Sequence, residues 1–173
     1  MANKTLFEHR LELINNPLCW EQHFESARKN LANKIWDWVR LNNPKAKKVV
    51  KFPFILEMAD LIFEHQDKRP FFHIGDDMIT AWNSPKDWDK NYIIYQIGHM
   101  NPINNGGESN PENLCYMSAR CNQHIQSSLP MDEVLAIYFN SNSIAKKVVD
   151  KYNNLLKLHQ SEKWLELKKQ ILE

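Results

Sequence analysis

His99, Asn113 and Asn122 lie in one stretch, YQIGHMNPINNGGESNPENLCYMSARCNQHIQ (95–126), which also carries Gly98, Gly106 and Gly107, three of the chain's four glycines. A neutral imidazole can take a proton from water, and its unshifted pKa of ~6.5 suits that task near neutral pH. An amide oxygen is a hard ligand of the kind magnesium accepts while keeping most of its waters. A helix is expected to open at Cys121–Asn122 and run to about Ser127, and a helix start favours an anion such as phosphate. Together these parts describe metal-assisted hydrolysis of a phosphodiester.

The elements that must position them follow from composition and periodicity. YIIYQI has strand vocabulary and delivers Gly98–His99; a loop holding Pro102 and the Gly-Gly pair follows, then a second short strand over Leu114–Met117. Before this unit the chain reads as helical. Thr5 and Glu8 form a capping-box pair ahead of Phe7, Leu11 and Ile14. Pro17 opens a long amphipathic stripe of Trp20, Phe24, Ala27, Leu31, Ile35 and Trp38, and Pro53 is expected to open a third helix that ends near His65. Between them Lys45, Lys47, Lys48 and Lys51 form either a solvated loop or a patch that contacts phosphate. FFHI and MITAW read as further strands, with His73, Asp76 and Asp77 at a turn. After Met131 three helical stripes return: Val134, Leu135 and Tyr138; Ile144, Val148, Tyr152 and Leu155; and, behind a Ser161 cap, Trp164, Leu167 and Ile171. The expected organisation is a helical part over 1–66, a strand-rich centre over 67–130 and helices over 131–173.

The central spacing resembles the HNH nucleases, the group built on the ββα-metal finger. Their usual form is Asp-His-x-x-Pro, a Gly-Gly loop, Asn-Leu, and Cys-Asn eight and nine residues beyond that first Asn. GHMNP, NNGGES, NPENL and ARCNQ keep those intervals, with the finger spanning 92–129. The resemblance implies an α+β protein with the finger embedded in a mainly helical single domain. It implies His99 as general base, Asn113 as the residue that braces the loop and orients the histidine, and Asn122 as a ligand to Mg2+ or another divalent ion such as Mn2+.

Three positions depart from the pattern. Gly98 stands where most members carry a metal-binding Asp or His, although GHMNP is similar to the GHM-x-P of the DRGH nucleases, which use an asparagine as principal ligand. Gln126, Asp76, Asp77 and Glu108 are the candidates for a second ligand. Ser118 replaces the first cysteine of a C-x-x-C pair, leaving Cys121 without a partner and arguing against structural zinc. Ile125 replaces a frequent basic residue. Arg120 suits a phosphate or an ion pair, and His124, on another face of the expected helix from Asn122, is a further candidate for phosphate or metal.

Whole-chain properties set the remaining expectations. Twenty-two Lys and Arg against twenty-one Asp and Glu provide no global basic field, so binding of double-stranded DNA would rely on local patches and on the flanking helices. That favours a specific, restriction-type endonuclease, acting as a dimer on a symmetric site, over a charge-driven one. An HNH-like module that binds nucleic acid without cutting it is the alternative, and a purely structural domain is the third reading. Three cysteines without a C-x-x-C pair, and no apolar run of membrane-spanning length, point to a cytoplasmic protein.

Overall fold

The computed structural model describes residues 17–71, 95–118, 121–126, 128–140 and 146–173, with the side chains of 17–23, 123–124 and 138–140 left aside. The expected helix over Thr5–Ile14, the expected strands FFHI and MITAW beyond Phe71, and His73, Asp76, Asp77, Arg120 and the side chain of His124 lie outside the described residues.

The protein is α+β and mostly helical, with five α-helices and one two-stranded antiparallel sheet among the described residues. Helix α1 (Pro17–Asn42) buries Ala27, Leu31, Ala32, Ile35 and Val39, a stripe at spacings of three and four. Helix α2 (Lys48–His65) buries Ile55, Met58, Ala59 and Ile62 against it. Arg28 of α1 grips Asp60 of α2 through Nε and Nη2, at 2.5 and 2.7 Å. This fork-on-carboxylate geometry fixes the two helices in register.

Proline was expected to open α2, but the helix starts five residues earlier and carries Pro53 inside it. The reason is tertiary. Lys48 bonds Asn33 Oδ1 at 3.0 Å and covers the Phe52 ring at 4.7 Å, while Lys51 reaches the carbonyl of Gln170 at 2.7 Å. These contacts offset the backbone hydrogen bond that proline cannot make.

Strands β1 (Tyr95–His99) and β2 (Leu114–Ser118) pair antiparallel, with Gly98 opposite Cys115 and His99 opposite Leu114. A two-stranded ribbon is marginal by itself, and the helices supply what it lacks. Phe24 from α1 and Phe63 from α2 stack at 3.6 Å between ring centroids, and Tyr95 and Tyr116 close edge-on around them. Among the described residues, the outer edge of β2 is satisfied by a side chain and by Phe71. The buried Gln66 amide exchanges two hydrogen bonds with the Tyr116 backbone, at 2.8 and 2.9 Å, and Phe71 bridges Met117 by donating to the Tyr116 carbonyl and accepting from the Ser118 N–H.

Helices α3 (Met131–Asn140), α4 (Lys146–His159) and α5 (Glu162–Leu172) complete the core with Met131, Val134, Val148, Leu155, Trp164, Leu167 and Ile171. Ser161 caps α5 by accepting from the Trp164 N–H at 3.2 Å, where its sequence position leads one to expect it. One hydrophobic cluster draws on all three parts of the chain. Among the described residues no helix is long and apolar enough to cross a membrane.

Candidate active site

The connection between β1 and β2 is a loop that Asn113 holds shut. Its Oδ1 accepts from the Asn101 N–H at 2.6 Å, and its Nδ2 donates to the carbonyls of Asn101 and Glu108 at 2.8 and 2.7 Å. Its own carbonyl receives the Met100 N–H at 2.7 Å. A single asparagine side chain thus satisfies three backbone groups that a tight loop would otherwise leave open.

The two glycines serve this closure differently. Gly106 ends a short 3-10 turn (Ile103–Asn105) at φ 78°, a left-handed conformation that costs glycine little. Gly107 is needed for space, because a β-carbon there would collide with the Asn101 carbonyl and the Asn113 amide.

His99 ends β1. Strand alternation puts it on the face of Tyr95 and Ile97, toward α1, and puts Gln96 and Gly98 on the other face. Its ring is half-buried, with Nε2 2.9 Å from Ser109 Oγ. Burial, and secondarily the positive charge of Lys34 on α1, push its pKa below the ordinary value, so the ring is neutral at pH 7. No described residue bonds Nδ1, and in the tautomer whose Nε2–H donates to Ser109 Oγ the Nδ1 lone pair is left to accept a proton. The backbone under His99 is clamped as well. The buried Gln126 amide donates to the carbonyls of His99 and Met100 at 2.7 and 3.3 Å.

The helix expected from Cys121 to about Ser127 is a single π-helical turn, Cys121–Ile125, closed by the Gln126 N–H on the Cys121 carbonyl at 2.9 Å. So short a turn has no macrodipole of consequence, and the anion site expected at a helix start falls away with it. Ser118 caps the turn, its Oγ accepting from the Cys121 N–H at 3.0 Å. The position where zinc-stabilised fingers carry a cysteine is therefore occupied by a hydroxyl that the backbone uses. Cys115 and Cys121 are both buried.

Asn122 donates from Nδ2 to Gln96 Oε1 at 3.0 Å, and its Oδ1 accepts from no described residue. The amide is held with its oxygen, the atom a hard cation uses, unspent. His99 and Asn122 share no hydrogen bond, and their partners, Ser109 and Gln96, are different. Gln126, a candidate second ligand, has its amide nitrogen committed to the β1 backbone. Among the described residues no three His, Cys, Asp or Glu side chains converge as a metal cluster.

Gly98 has a packing reason. A β-carbon at this position would meet Met117 Sδ, Cγ and Cε, all inside 3 Å, and Met117 is fully buried. Of the lysine patch, Lys48 and Lys51 are engaged between helices, while Lys45 and Lys47 are exposed on the turn between α1 and α2 and its boundary.

Two clefts lie between α1 and the hairpin, and Lys34 belongs to both. One, of about 470 Å³, is lined by Asn30, Lys34, Gln96 and Asn122 with Ala27, Tyr95 and Ile97. The other, of about 570 Å³, runs past Asp37, Trp38, Leu41 and Asn42 to Glu108 and Ser109. Sequence reading passed over Lys34, Gln96 and Ser109. An exposed lysine on a helix's polar face carries no local mark, and Ser109 reaches His99 only because the loop folds back over ten residues. No family model, curated protein or solved structure matches the chain.

Proposed function

We propose that the chain is an HNH-type endonuclease that hydrolyses phosphodiester bonds in DNA with a divalent ion, Mg2+ or Mn2+. One observation carries the reading: His99 is a half-buried, neutral imidazole with Nδ1 unbonded, set on a strand end whose loop and backbone are both locked. A general base needs that combination of protonation state and fixed position. In the proposed reaction His99 Nδ1 takes the proton of the attacking water, with Ser109 holding the ring's other nitrogen. Asn113 keeps the loop closed under it.

The free Oδ1 of Asn122 fits one place in a magnesium shell, the others being filled by water and substrate phosphate. When bound, the ion supplies charge neutralisation at the phosphate and the leaving oxygen. Duplex DNA as substrate and a homodimer on a symmetric site are parts of the same proposal. Plasmid cleavage with Mg2+ or Mn2+ tests it: His99→Ala should lower the rate by about 10²–10⁴-fold, the usual contribution of a positioned base. A wild-type protein inert with Mg2+, Mn2+ and Ni2+ would remove the nuclease reading.

A second reading, a nucleic-acid-binding module that does not cut, is favoured by one feature. Among its described lining residues the cleft that holds Asn122 has the Lys34 ammonium and no carboxylate, and this lining attracts phosphate more than it attracts a cation. Retention of DNA at low salt by a catalytically inert wild type would select it.

A further inference from the structure

We propose that the two clefts sharing Lys34 form one nucleotide site, the smaller taking a phosphate and the larger the adjoining nucleoside of a single strand. The inference rests on the phosphodiester reading for its ligand class and extends it to residues of α1.

The two halves differ in chemistry. Among its described lining residues the smaller cleft presents one ammonium and three amides, from Lys34, Asn30, Gln96 and Asn122, and no acidic side chain. Amide N–H groups and a lysine are donors, and a phosphate oxygen is an acceptor they suit. The larger cleft presents the Trp38 ring and the Leu41 side chain, 80 % exposed, with the carboxylates of Asp37 and Glu108. Carboxylates repel phosphate. They accept from base amino groups or sugar hydroxyls, while an indole and an exposed leucine give a flat base something to lie on. Each cleft, at about 470 and 570 Å³, is of small-ligand size and admits a piece of one strand, so the duplex of the proposed reaction would have to part locally to enter it.

Lys34 is the joint. It is exposed, pairs with no described carboxylate, and is close enough to His99 for its charge to be felt there. A phosphate on Lys34 is thereby brought to the neighbourhood of His99 without any residue of the hairpin having to move. Lys34 is a positioning residue: it orients the substrate and takes no part in proton transfer.

The test is binding of a fluorescently labelled five-nucleotide single strand to the full chain in EDTA, so that no metal and no cleavage enter, measured over a salt series. Lys34→Gln should weaken binding by roughly tenfold, the worth of one charge-assisted contact. It should also lower the slope of log affinity against log salt by about 0.7, the share of one phosphate on a single strand. Lys34→Arg should restore both. Leu41→Glu, at an exposed position that leaves the fold alone, should weaken binding of the five-nucleotide strand and leave inorganic phosphate competition unchanged.

If Lys34→Gln leaves affinity and salt slope at wild-type values, the site is wrong, even where His99-dependent cleavage of plasmid is observed. If the strand binds in a Lys34-dependent way but no divalent ion supports cleavage, the nuclease reading fails and the nucleotide site stands. Binding of an equally long duplex more tightly than the single strand, with the same dependence on Lys34 and Leu41, would overturn the single-strand assignment.

Discussion

Gly98→Ala is the smallest change that asks why position 98 is a glycine. A β-carbon at 98 falls within 3 Å of three side-chain atoms of Met117, which is fully buried and so cannot swing into solvent. Overpacking of this kind costs about 1–3 kcal/mol. Removing a glycine's backbone freedom from a strand returns roughly 0.5–1 kcal/mol, so the expected net loss is about 0.5–2 kcal/mol. Met117→Ala alone opens a cavity and should cost about 2–5 kcal/mol. In the double variant the new methyl enters the space that Met117 has left, and the losses should fall short of their sum by about 1–2 kcal/mol, a coupling typical of groups sharing a cavity. Urea unfolding followed by tryptophan fluorescence gives all four corners of the cycle. Losses that add to within ~0.5 kcal/mol, the behaviour of independent sites, would refute the claim that Gly98 is a glycine for the sake of Met117. Non-additivity would show instead that the Met117 side chain occupies the space a β-carbon at 98 needs.

Further outcomes follow from the same geometry. Asn113→Ala forfeits three hydrogen bonds to backbone and should destabilise the protein by about 2–4 kcal/mol at roughly 1 kcal/mol each, read by the same unfolding assay. His159 is pushed down to about 4, first by burial, and its Nε2 has no partner. The unfolded chain therefore binds that proton more readily than the folded one. Stability should be full above pH 6.5 and fall as pH drops from 6.5 toward 4, by up to about 3 kcal/mol, and His159→Phe should flatten that slope in denaturant midpoints measured across the range. Cleavage, if His99 is the base, should lose rate only as pH falls through a value below 6.5, because the histidine's pKa is lowered. A rate limb centred above 7 would point to another group.

Much of the scaffold was legible because it is periodic. The stripe of Ala27, Leu31 and Ile35 and the Ser161 cap announce α1 and α5 by spacing and capping alone, and the aromatic and β-branched residues of YIIYQI announce β1. What escaped is decided by contacts between distant residues. The start of α2 depends on Lys51 meeting Gln170, 119 residues away, and local preference at Pro53 yields to it. The π turn at Cys121–Ile125 fits a chain that Ser118 caps and Gln126 ties to β1, neither of which a propensity scale registers. At the candidate site Asn113 was expected as a loop brace, and its amide bonds three backbone groups of that loop. Lys34 and Ser109 are brought near His99 by the fold alone.

Glu112 lies one residue before Asn113 in the loop and is bound to α5, where Lys168 Nζ stands 2.6 Å and Trp164 Nε1 3.2 Å from its Oε1. Burial works against its charge, but those two hydrogen bonds outweigh it and hold the carboxyl below the ordinary range. The anchor is 52 residues downstream of the loop it secures. During synthesis α1, α2 and the hairpin are all made before α5. The loop beneath His99 then waits for α5 to be made and to fold back. A nascent chain would thus carry every residue of the candidate site while lacking the site itself.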